Sequence, residues 1–163
     1  MNANTKTTTT LHDPPVSVRA KLAAAWTSFM FLYIYVDYLH LYKPGIIDDI
    51  LAGVVFEFDI SQTFVVIALT SVAIPTFMIL LSMTLPARVN RAINLVVATL
   101  LIPYSAFNVL GAGSWTYFYG LGIGLELLLL AYILRSAWTW LRTPAPSMPE
   151  PAAPRRSQMQ LGR

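Results

Sequence analysis

Four side chains in this sequence could do chemistry in surroundings that make charge expensive. Tyr33, Asp37 and His40 lie in the apolar stretch Phe29–Tyr42, and Glu126 lies in another. An ionisable group inside a membrane span is a clue to function by default. Met30, Tyr33, Asp37 and His40 follow i, i+3, i+7, i+10 and so share one helix face. At 1.5 Å per residue from Leu22, Tyr33 comes out about 16 Å deep, near a bilayer midplane, and Asp37 about 22 Å, in the outer third. His40 is one turn further out. Counted from Trp115, Glu126 is level with Tyr33.

Depth separates two kinds of carboxyl. Near the surface, Asp37 can pair with His40 on its own helix or with interfacial water at little cost. At the centre, Glu126 must be protonated or paired, and no lysine or arginine lies at its depth. Its expected partners are Tyr33 and the helix carbonyls loosened by proline. Pro75 and Pro103 fall at that depth, and each frees the carbonyl four residues back, those of Ser71 and Thr99. Asn108 would lie at the depth of Asp37. Gly120 and Gly124 form a small-xxx-small pair, read as packing within the chain in preference to a dimer contact.

Other chemistries find little support. The sequence has no cysteine, which removes disulfides, thiolate metal sites and cysteine nucleophiles. His12 falls in a polar tail, so Asp37 and His40 would offer two metal ligands at best, and no metal is expected. No phosphate loop, nucleophile elbow or dinucleotide fingerprint is present, so neither a cofactor nor a catalytic residue is assigned.

The elements that must hold these groups follow from composition. Of the 163 residues 56% are hydrophobic and only 12% charged, with mean hydropathy +0.58. Soluble domains run at about 25% charged, so an integral membrane protein is expected, with the lipid bilayer as its first partner. Four spans are read at about Leu22–Tyr42, Thr63–Leu85, Ala92–Gly111 and Trp115–Leu141, within a membrane domain of residues 19–142. The first is too long and too charged for a secretory signal. The second is expected to be capped by Asp59 or Ser61 and to end before Pro86. The outer loop 43–62 reads as a lid, with Ile46–Leu51 amphipathic at helical spacing and Phe56–Ile60 alternating. Residues 1–18 and the proline-rich 143–163 read as disordered tails.

Orientation comes from the basic residues. Lys6, Arg19, Lys21, Arg88, Arg91, Arg135, Arg142, Arg155, Arg156 and Arg163 gather on one side, against Lys43 alone on the other. The positive-inside rule then places both termini in the cytoplasm. Basic residues beside hydrophobic segments set topology, so no nucleic-acid partner is expected despite the net charge of +3. Trp115, Tyr117, Phe118 and Tyr119 at one end of the last span, and Trp138 and Trp140 at the other, fit interfacial belts. The short turns between spans make sequential neighbours antiparallel. The fold class expected is all-α, an antiparallel four-helix transmembrane bundle.

Several stretches resemble a family of small bacterial four-span membrane proteins known only as a domain of unknown function. They are Met30–Asp37 in span 1 and Ile74-Pro75, Leu80–Ser82 and Arg88–Arg91 through span 2 and its turn. In span 4 they are Thr116–Tyr119, Glu126 and Ala137–Trp140. The resemblance covers about residues 22–141 and implies a location in the bacterial inner membrane, multi-pass, with both termini inside. It implies no activity. Members place a glutamate just before the Ile-Pro of span 2, where this chain has Ala73. Four-span proteins of the DoxX type are similar in architecture only.

The function expected is a binding or transport-type component, with a polar intramembrane pocket open to the outer face. Asp37 and His40 would form its mouth, and Glu126 and Tyr33 its floor. The alternative is a non-catalytic structural or accessory subunit, with a membrane-protein partner or a second copy of itself. An enzyme acting on a lipid or quinone is the least supported, for want of titratable groups.

Overall fold

A computed structural model of the protein describes residues 14–107 and 113–140. In chain order it holds α1 (Val18–His40), α2 (Ile46–Leu51), a hairpin of β1 (Val54–Val55) and β2 (Phe58–Asp59), α3 (Gln62–Thr84), α4 (Ala87–Phe107), a 3-10 turn (Gly113–Trp115) and α5 (Thr116–Trp138). Among the described residues α1, α3, α4 and α5 are the four helices long and apolar enough to cross a membrane. Asn108, the end of span 3 and nearly all of the two tails lie outside the described residues.

Local chemistry sets the helix ends. The Ser17 hydroxyl accepts from the Ala20 N–H (3.2 Å) and the Ser61 hydroxyl from the Phe64 N–H (3.2 Å), so each caps a helix. Leu85, forced into the extended region by the proline after it, stops α3. Helix α4 then begins at Ala87, before the apolar run that starts at Ala92. The apolar run marks the stretch suited to hydrocarbon, whereas the helix starts wherever the Pro86 turn releases the chain, here with the Asn90 N–H on the Pro86 carbonyl (2.9 Å). The loop 43–62 folds as α2 and the hairpin, with Val54 opposite Asp59 and Val55 opposite Phe58.

Helix α1 is the hub. It packs along both α3 and α5, and α4 packs along α5. Leu22, Trp26 and Phe29 of α1 bury against Met78 of α3, Ala98 of α4 and Leu130 and Ile133 of α5. The helix ends interlock. At the end carrying the Pro86 turn, Arg19 Nη1 donates to the Met83 carbonyl (2.9 Å) and Arg91 Nη2 to the Trp138 carbonyl (3.2 Å). Each guanidinium thus meets the negative C-terminal end of a neighbouring helix.

Two further features of the packing concern the glycines of α5 and the α3–α4 pair. The close approach between α1 and α5 falls at Gly122, where an added Cβ would stand 2.8 Å from Val36 Cγ2. Gly120 and Gly124 face open space, and a Cβ at either meets nothing within 4 Å. A 3.6-residue repeat puts residues 120 and 124 on a flank when the inward stripe is Tyr119, Gly122, Ile123, Glu126 and Leu130. Helices α3 and α4, although joined by a tight turn, meet over only a short stretch. Pro75 and Pro103 lie within them.

Candidate functional site

The inward stripe of α5 carries Glu126 into the bundle, where it is 2% exposed. The inward stripe of α4 is Asn90, Asn94, Ala98 and Ser105. The two stripes bring the Ser105 hydroxyl close to the Glu126 carboxyl. Yet Ser105 Oγ and Glu126 Oε2 are both buried without a hydrogen-bond partner at normal geometry. A buried polar atom in that state costs about 1–3 kcal/mol and needs an explanation.

Around this pair stand the α1 groups. Val36 against Gly122 and His40 against Tyr119 fix the register of α1 on α5, and by that register Tyr33 is level with Glu126. Asp37 is exposed on α1, one turn from both Tyr33 and His40. Tyr33 does not bond Glu126, as its depth alone suggests. Its hydroxyl meets that of Tyr104 on α4 (3.1 Å), and Tyr104 in turn makes a long contact with Ser71 Oγ on α3 (3.4 Å). Ser71 donates to the Ala68 carbonyl (2.7 Å). Tyrosine on α1 thus reaches across to α4 and α3, and the carboxyl is left with Ser105.

At the loop end the site is covered by rings. The His40 Nδ1 is hydrogen-bonded to the Tyr119 hydroxyl, and Phe56 of the hairpin stacks on the imidazole at 5.4 Å between centroids. Phe56 has φ +57°, a left-handed conformation that a bulky side chain rarely adopts. Its place in the two-residue turn between Val55 and Phe58 is one that usually goes to glycine. The strain is held where the ring meets the histidine.

Of the residues singled out from sequence, Tyr33 meets Tyr104, His40 meets Tyr119 and Asp37 is exposed, while Glu126 is buried on α5. Pro75 is buried and Pro103 exposed. Among the described residues no three His, Cys, Asp or Glu side chains gather at metal-binding spacing.

One polar group escaped the sequence reading. Trp26 Nε1 donates to Asn94 Oδ1 (2.7 Å), and Asn94 Nδ2 donates to the Asn90 carbonyl (2.9 Å) and Asn90 Oδ1 (2.7 Å). Asn90 Nδ2 donates to the Ser82 carbonyl, and Ser82 Oγ to Asn94 Oδ1 (3.5 Å). All four side chains are fully buried. This network is satisfied and ties α1, α3 and α4 together, which is a structural job. The signal was present as asparagines at i, i+4 in phase with Ala98.

Residues 16–144 match a family of unknown function (DUF6326), and the chain belongs to it. No curated protein and no solved structure matches the chain.

Proposed function

For this member of a family of unknown function, we propose a role as a multi-pass protein of the bacterial inner membrane that takes up and releases a proton, or a small polar solute, at Glu126. The observation that carries the reading is the Glu126–Ser105 pair, buried yet short of partners, at the level of Tyr33. Every other buried side-chain polar atom among the described residues is satisfied. Asp37, with the ringed mouth of His40, Tyr119 and Phe56, forms the way in from the outer face.

The placement rests on three supports. Large apolar side chains stand exposed around the helices, Ile67, Leu100, Leu121 and Leu128 each by about two-thirds, a coat suited to hydrocarbon. Arg19 beside Met83, Arg91 beside Trp138 and His40 beside Tyr119 favour antiparallel neighbours. Arg19, Lys21, Arg88, Arg91 and Arg135 share the Pro86 end, which the positive-inside rule makes cytoplasmic. A reporter fused after Arg142 then reads cytoplasmic; a periplasmic signal overturns the orientation.

The test of the role is proton entry into liposomes carrying the purified protein and an internal pH dye, under an imposed potassium diffusion potential. Flux above that of empty liposomes is expected, falling about tenfold or more in Glu126→Gln, by the loss of a group that binds the proton. Flux equal in the parent and in Glu126→Gln sinks the proton reading. The accessory-subunit alternative draws on the uncovered Gly120–Gly124 flank of α5. A stable co-purifying partner, with no flux, favours it.

A further inference from the structure

The splay of α3 from α4 leaves a cleft of about 260 Å³ lined by Ser71, Ile74, Val97, Leu100, Leu101 and Tyr104. Leu100 is 66% and Ile74 48% exposed, so the cleft opens sideways. In a membrane that direction is hydrocarbon, and the inference rests on the membrane placement proposed above, though not on proton uptake. Its walls are apolar except for two hydroxyls, those of Ser71 and Tyr104.

We infer that this cleft binds a single-chain amphiphile whose head is a hydrogen-bond donor, uncharged or cationic. Proton bookkeeping identifies the head. Ser71 spends its one hydroxyl proton on the Ala68 carbonyl. Tyr104 spends its own on Ser71, so Tyr33 must donate to Tyr104. All three protons are committed, and lone pairs on Ser71 and Tyr104 remain. The cleft can accept hydrogen bonds but has no donor to give. A hydroxyl or ammonium head fits; a head that only accepts leaves the hydroxyl chain broken.

Charge points the same way. Neither Gln62–Thr84 nor the apolar run 92–107 contains a lysine or arginine, so no cation stands ready for an anionic head. Size sets the chain number. Sites that enclose a whole drug-sized ligand run to about 300–1,000 Å³, so this smaller cleft has room for one chain with its head.

The test uses the full chain in nanodiscs and a long-chain alcohol bearing a diazirine, with cross-links mapped by peptide mass spectrometry. Labelling is expected on the cleft faces of α3 and α4. Dodecanol and dodecylamine should suppress it about fivefold, and dodecanoate less than about twofold. Leu100→Trp fills the opening from a surface position and should abolish the labelling with the helix content unchanged, and Tyr104→Phe should weaken the alcohol's competition. Labelling spread evenly over all outward faces, equal competition by dodecanoate, or full labelling of Leu100→Trp overturns the inference. Failure of the protein to enter the nanodisc overturns the membrane placement instead, so the two are told apart.

Discussion

Gly122 of α5 stands so close to Val36 of α1 that a single added carbon would sit 2.8 Å from a valine methyl. Valine on a helix has one strongly preferred rotamer and little room to turn aside. Gly122→Ala should therefore push α1 from α5 and destabilise the bundle by about 1–3 kcal/mol. Gly120→Ala and Gly124→Ala should be neutral or slightly stabilising, since alanine is the better helix former. Reversible unfolding in detergent micelles gives the comparison; equal losses at all three positions would refute the register.

Trp26 and Asn94 make the next pair. Trp26→Phe removes one donor from the buried network and should cost about 1 kcal/mol, in line with hydrogen bonds between membrane helices. Asn94→Ala strands the donors of Trp26 and Ser82 and an acceptor on Asn90 together, and should cost about 2–3 kcal/mol. An Asn94→Ala loss no larger than that of Trp26→Phe would mean the network is not cooperative.

The two buried serines should behave oppositely. Ser105 Oγ lacks a partner, so Ser105→Ala should leave stability within about 0.5 kcal/mol of the parent or raise it. Ser82→Ala breaks a satisfied network and should lower it by about 1 kcal/mol. A large loss on Ser105→Ala would reveal a hydrogen bond to Glu126 strong enough to make that pair structural.

Phe56 separates backbone strain from ring stacking. Phe56→Gly and Phe56→Ala both remove the stack on His40, but only glycine is at ease at φ +57°. The glycine variant should hold the hairpin more firmly than the alanine variant by about 1 kcal/mol, read as slower amide hydrogen exchange across Val54–Asp59. Slower exchange in the alanine variant would exclude strain at this turn.

Much of this arrangement is legible in the chain. The four helices follow from apolar length, and Ser61 and Pro86 mark the ends of α3 as capping and proline chemistry require. Depth arithmetic puts Glu126 level with Tyr33, and the register of Val36 on Gly122 agrees. What depth cannot give is rotation. A span that is apolar all round hides which flank turns inward, so the small-xxx-small pattern drew attention to Gly120 and Gly124 while the contact fell between them. Tyr33 found Tyr104 for the same reason, because partners at equal depth are chosen by facing. Asn90 was passed over because the apolar run starts after it, although the helix does not.

The His40–Tyr119 contact joins the first long helix to the last, across 79 residues of sequence. At about 5–20 residues per second, a ribosome needs roughly 4–16 seconds to deliver the second partner after the first. Through that interval the His40 ring has no phenol to meet, while α3 and α4 are already made. This end of the bundle therefore closes only after α5 has been synthesised, and a chain stopped before α5 would leave the inward faces of α1 and α4 without the helix both of them pack along.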